Sequence, residues 1–128
     1  MRLRSFSLLA LLPVLLSPLA AQAQAADPQV ARGQRLFMRC IACHDITESK
    51  LVKIGPNLKG VIGRAAGSMA GANYSAAMKK QSFTWDAAKL DAWLTRPGAV
   101  VPGTSMVFEG LPAEADRKAV IAYLSAQR

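Results

Sequence analysis

Histidine and cysteine are nearly missing from this 128-residue chain, which has one of the first and two of the second. A structural zinc site needs four nitrogen or sulfur ligands, and this set falls short. A disulfide framework is equally excluded, because Cys40 and Cys43 could close only a very small ring that constrains little of the unfolded chain. Aromatic residues are 6% of the total, which leaves a small domain poor in the large rings that usually fill a core. No stretch alternates apolar and polar residues for long enough to suggest a sheet. Without a βαβ pattern, the Cys-x-x-Cys pair also lacks the setting of a thioredoxin-like redox centre. Acidic residues are half as numerous as basic ones, 8 against 16, giving a formal charge of +8. Charged residues are nevertheless only 19% of the chain and hydrophobic ones 52%, a balance that excludes a disordered polyelectrolyte. At this length one domain is expected, and an enzyme with separate cofactor and substrate lobes is not.

Part of the charge belongs to the amino terminus. Arg2 and Arg4 precede an almost unbroken apolar stretch over residues 6–16, and Ser17-Pro18 then breaks any helix. Ala21-Gln22-Ala23 and Ala23-Gln24-Ala25 both fit an A-x-A cleavage site. The pattern is that of a secretory signal peptide over residues 1–23, cleaved after Ala23 or Ala25, ahead of a mature domain over residues 24–128. The apolar run is shorter than the ~18 residues a membrane span requires, so stable membrane insertion is not expected. A soluble periplasmic protein is. Basic residues run from Arg32 to Arg128 with no cluster longer than Lys79-Lys80 or Arg117-Lys118. Export and the absence of a nucleic-acid motif argue against nucleic acid, leaving a solvated basic surface or docking to an acidic protein partner.

The scarce residues stand together. Cys40-Ile41-Ala42-Cys43-His44 is the C-x-x-C-H attachment sequence of c-type haem. Two thiols three positions apart lie along one face of a helical turn, where each can form a thioether with one porphyrin vinyl group. The next residue, His44, is then carried under the iron as its proximal ligand. No second histidine exists to fill the sixth position, which leaves Met38, Met69, Met78 and Met106 in the mature chain. Met38 sits on the attaching segment, on the wrong side of the porphyrin, and most methionines are core gap-fillers. Met106 follows Val101-Pro102-Gly103-Thr104-Ser105 and precedes Gly110, an extended loop suited to wrapping the far face of a flat cofactor. Met106 is therefore the expected distal ligand and Met78 a distant second.

The remaining pattern is helical. Asp27-Pro28 opens a helix that runs toward Cys40, with Gly33, Leu36 and Phe37 on its apolar face. A second has Thr84 as N-cap and Leu90, Trp93 and Leu94 as its stripe, ending before Pro97. The last begins near Pro112 and carries Val120, Tyr123 and Leu124, a face expected to meet that of the first. A short helix is expected over residues 75–80, while Gly55-Pro56, Gly60, Gly63, Gly67 and Gly71 make residues 45–71 loop. Loops this long are unusual in a compact domain unless they serve a function or pack on something, and a haem gives helices and loops a common core.

With these features in place, the chain resembles the class I cytochromes c, and most closely the group of mitochondrial cytochrome c and bacterial cytochrome c2. The motifs that carry the resemblance are Cys40-Ile41-Ala42-Cys43-His44, Gly55-Pro56-Asn57-Leu58, Gly63-Arg64, Tyr74, Thr84-Trp85, Pro97, Pro102-Gly103-Thr104-Ser105-Met106 and Ile121-Ala122-Tyr123-Leu124. It implies an all-α fold of three main helices plus short helices and long loops around one covalent haem c. It further implies that the Pro56 carbonyl accepts from the ring N–H of His44, and that Tyr74 and Trp85 hydrogen-bond a buried haem propionate whose charge Arg64 offsets. Phe108 would cover the haem beside Met106, and Thr104 would support the distal side.

Two departures stand out. Arg39 and Lys53 fit the family's ring of lysines around the haem edge, but Gly98, Ser105, Pro112 and Ala113 occupy places where lysines are common. Met78 stands where a polar residue is frequent. The function implied is a diffusible, monomeric one-electron carrier rather than an enzyme. It would exchange electrons through the haem edge with membrane respiratory or photosynthetic complexes and periplasmic reductases or dehydrogenases. A dedicated electron-entry subunit of a periplasmic oxidoreductase is the alternative. A haem peroxidase or gas sensor is less favoured, since with His44 used no distal histidine is left.

Overall fold

A computed structural model describes residues 27–49 and 53–128. The signal-peptide pattern and both cleavage sites lie outside the described residues. Five helices are present among them: α1 (Pro28–Phe37), α2 (Ala76–Lys79), α3 (Ala87–Thr95), α4 (Pro97–Val100) and α5 (Glu114–Ala126). The only β-pairing among the described residues is an isolated bridge between Ala65 and Thr84.

Helix α1 starts as its sequence dictates. The Asp27 carboxylate accepts from the Gln29 backbone N–H at 2.8 Å and Pro28 fills the first turn, where no N–H is missed. Gly33 and Phe37, four residues apart, form its buried face. Gly33 is placed where a Cβ would stand 1.9 Å from the carbonyl oxygen of Ala119, so the backbones of α1 and α5 touch at this point. One turn on, the Phe37 and Tyr123 rings pack with centroids 5.3 Å apart over fully buried Val120. This crossing locks the N-terminal helix, and with it the cysteine segment that follows, onto the C-terminal helix.

Helix α3 starts two residues later than expected, capped by Asp86, whose side chain accepts from the Lys89 N–H at 2.6 Å. Thr84 is not the cap, because it is committed to the bridge with Ala65, and Trp85 N–H donates to the Arg64 carbonyl at 2.9 Å. A hydroxyl two residues upstream cannot reach the orphan donors of the first turn. Helix α5 begins at Glu114 rather than Pro112, and its N-cap, Ala113, offers no side-chain acceptor. Short α4, which the sequence reading did not expect, begins at Pro97 itself, a residue well suited to a first helical turn. Leu90, Trp93 and Leu94 of α3 join Phe37, Val101, Leu111, Val120, Tyr123 and Leu124 in one apolar core.

Candidate haem-binding site

The chain leaves α1 in a series of tight turns: Met38, Arg39 and Cys40 N–H groups donate to the carbonyls three residues back, and Cys43 N–H to that of Cys40 at 3.1 Å. In such turns side chains at i and i+3 come nearly into line. Cys40 and Cys43 are thereby presented to one side. They are free of each other and half-buried, and burial raises the Cys40 thiol above its ordinary value, with Arg39 opposing and Cys43 adding to the effect.

His44 is buried, at 8% exposure. Its Nδ1 lies 2.7 Å from the Pro56 carbonyl oxygen. A carbonyl can only accept, so Nδ1 carries the proton and Nε2 keeps its lone pair free. Gly55 backs the ring, since a Cβ there would stand 2.5 Å from His44 Cε1. Desolvation lowers the imidazole's pKa, outweighing the Pro56 bond that favours the protonated form, and Lys53 lowers it further. A neutral imidazole held by a backbone carbonyl is the state a metal ligand needs. Lys53 Nζ donates to the carbonyls of Ile41, at 2.7 Å, and His44, at 3.0 Å. This residue, expected on a docking ring, therefore also clamps the attachment segment.

The other expected residues fall into three groups. Arg64 donates to the Asn57 carbonyl at 2.8 Å and to that of Lys59, and its guanidinium lies 3.8 Å from Met69 Sδ. Trp85 is tied to it by the backbone bond already described, and the Gly63 N–H returns one to Trp85 at 2.8 Å. Tyr74 lies near, its hydroxyl accepting from the Met69 N–H at 3.4 Å. On the Met106 loop, Thr104 Oγ1 accepts from the Met106 N–H at 3.2 Å, and both Met106 and Phe108 sit half-buried against the core. Among the other methionines, Met38 is 63% exposed and Met78 is a buried core residue.

These residues fit a haem. Two thiols on one side of a turn, a neutral imidazole with an unused Nε2, and a fringe of half-buried apolar side chains that includes Leu58, Tyr74, Phe83, Met106 and Phe108 are what its vinyl groups, iron and flat faces require. A cavity of about 550 Å³ lies elsewhere. It shares Gly55 and Pro56 with the back of the imidazole, takes in neither cysteine nor Met106, and has a polar rim of Lys53, Lys59 and Arg128.

Sequence comparison completes the assignment. The cytochrome c family model matches residues 30–127. Cytochrome c2 of Rhodomicrobium vannielii is 46% identical over 108 residues, covering 84% of this chain and 86% of that protein. Cytochrome c2 of Rhodoblastus acidophilus is 46% identical over 101 residues, covering 79% and 92%. The solved structure of cytochrome cH from Methylobacterium extorquens superposes with a TM-score of 0.70 at 42% identity, over 76% of this chain and 97% of that one. The chain belongs to the cytochrome c family, class I. It is an electron carrier with one haem c, attached through Cys40 and Cys43.

The residue that sequence reasoning missed is Arg117. In the sequence it is no more than one half of the basic pair Arg117-Lys118, yet its side chain is only 11% exposed and bonds Asp91 at 2.8 Å. No local signal marks it, because its carboxylate partner is 26 positions away.

Proposed function

We propose that the mature protein is a monomeric periplasmic shuttle, not an enzyme, that passes single electrons between membrane respiratory or photosynthetic complexes and periplasmic reductases or dehydrogenases. The observation that carries the reading is the buried, neutral His44, its Nδ1–H held by Pro56 and its Nε2 left without that bond, in the residue directly after Cys43. Its counterpart is Met106. Of the four methionines Met69 and Met106 are both half-buried in loops, but Met106 is the one packed against the core and Met69 is engaged by Arg64, whereas Met38 is exposed and Met78 is enclosed.

The haem supplies a one-electron Fe(III)/Fe(II) couple, and a soft thioether in an apolar site favours the reduced form. The chain's own part is to hold both ligands still. Pro56 and Gly55 fix the imidazole plane, and Thr104 pins the Met106 backbone. Ligation that is unchanged between oxidation states needs little rearrangement when the electron moves. Tyr74 and Trp85 serve a propionate, with Arg64 as its counter-charge, and Phe108 shields the distal side. Export follows from the signal-peptide pattern of residues 1–23. Among the described residues no helix is long and apolar enough to cross a membrane.

The test is a reduced-minus-oxidised spectrum with redox titration of the wild-type protein and Met106→Ala. The wild type is expected to show a low-spin c-type spectrum and no binding of carbon monoxide. The variant is expected to lose potential and to bind carbon monoxide or cyanide. A variant with wild-type potential and no added ligand binding refutes the distal assignment.

A further inference from the structure

The loop that carries Met106 is secured unequally along its length. At its start Val101 is fully buried and its carbonyl accepts from the Thr104 N–H at 3.0 Å. In its middle, Ser105, Val107 and Glu109 are exposed, Val107 to 99%. The one hydrogen bond recorded for residues 105–109 among the described residues is Met106 N–H to Thr104 Oγ1. At its end the chain is docked on α3: Gly110, at φ +104°, brings its backbone against the Thr95 carbonyl, and buried Leu111 donates to Leu94 at 2.7 Å.

Arg117 reaches back from α5 to this end. Its Nη1 donates to the carbonyls of Leu111, at 3.0 Å, and Pro112, at 2.9 Å, while Nε donates to Asp91 Oδ1 at 2.8 Å. Nη2 lies 3.5 Å from Asp91 Oδ2. One planar, rigid guanidinium thus serves a carboxylate on α3 and two loop carbonyls, which it can do only while α3, α5 and the loop end keep their relative places.

We propose that Arg117 is a positioning residue for the sixth ligand, holding the Met106 loop shut by clamping its C-terminal end to α3 and α5. The inference rests on the reading of Met106 as distal ligand. A loop joined to the body by few bonds opens at small free-energy cost, and the open state is the one in which the sulfur leaves the iron to other ligands. Removing the clamp leaves two carbonyls and a carboxylate without their charged donor and shifts the balance toward opening.

The experiment titrates the oxidised holoprotein with imidazole and follows the red absorption band of the thioether–iron(III) bond. Charge-assisted hydrogen bonds of this kind correspond to an affinity gain of about tenfold or more for Arg117→Gln. Asp91→Asn, which leaves both carbonyl contacts in place, should gain affinity less but in the same direction. Arg32→Ala is the control, because Arg32, on α1, pairs with Asp116 of α5 at 2.5 Å, so its loss removes an ion pair from the helix that carries Arg117 without removing a bond to the loop carbonyls. It should titrate like the wild type. Wild-type imidazole affinity in both Arg117→Gln and Asp91→Asn overturns the proposal, as does an equal gain in Arg32→Ala. Should Arg117→Gln fail to fold, Asp91→Asn alone decides by the same criterion. Met106→Ala separates the two levels: if it binds imidazole no better than the wild type, the ligand assignment itself fails.

Discussion

Replacing Gly33 by alanine sets two effects of known size against each other. Alanine is the better helix former by about 1 kcal/mol, so on propensity alone the variant gains stability. The structure opposes this, since the new methyl would stand 1.9 Å from the Ala119 carbonyl oxygen, 2.6 Å from its carbon and 2.7 Å from Tyr123 Cβ. Even a separation of 3.0 Å requires α1 and α5 to part by about 1.1 Å. The obstacle is backbone, which has no rotamer to change. Gaps of that order forfeit roughly a quarter to a half of each van der Waals contact across the seam, and overpacking a core costs typically ~1–3 kcal/mol, occasionally more. The contacts at stake are those of Phe37, Val120 and Tyr123, so the upper part of that range applies. The expected net loss is about 2 kcal/mol, or roughly 8–16 °C in Tm for a domain of this size. Guanidinium unfolding of the holoprotein, followed by helix circular dichroism, measures it. A Gly33→Ala variant as stable as the wild type would refute the claim that these backbones touch.

Two further outcomes test the site and the helices. Cys40→Ala together with Cys43→Ala is expected to leave a haem that acid acetone extracts and a largely unfolded chain, because helices and loops lose their shared core; retained colour after extraction would contradict covalent attachment. Ala113→Ser supplies the acceptor that α5 lacks at a backbone geometry already extended (φ −75°, ψ 119°). It is expected to add about 0.5–1 kcal/mol in a denaturant titration, and no gain would show that the first turn is satisfied in some other way.

The chemistry was legible because it is local. Thioether formation and proximal ligation involve near neighbours in the chain, and the chain's two cysteines and one histidine, gathered at Cys40, Cys43 and His44, leave few other readings. The α1 cap at Asp27 was equally legible, since its donor is two residues away. The cap of α3 was misplaced because Thr84 and Asp86 are both good caps, and only the pairing of Thr84 with Ala65 takes the first out of play.

What the sequence by itself determined is the identity of the cofactor-binding chemistry and the order of helices, both consequences of near-neighbour spacing. The tertiary structure decided which groups support that chemistry. The Pro56 carbonyl sets the His44 tautomer from 12 positions away, the Ala119 carbonyl leaves no room for a side chain at Gly33, and Asp91 and the Leu111 and Pro112 carbonyls turn Arg117 from a surface charge into a clamp. Each depends on backbone groups and charges that meet only when distant segments pack together. A carbonyl is the same at every position in the chain until folding gives it a direction.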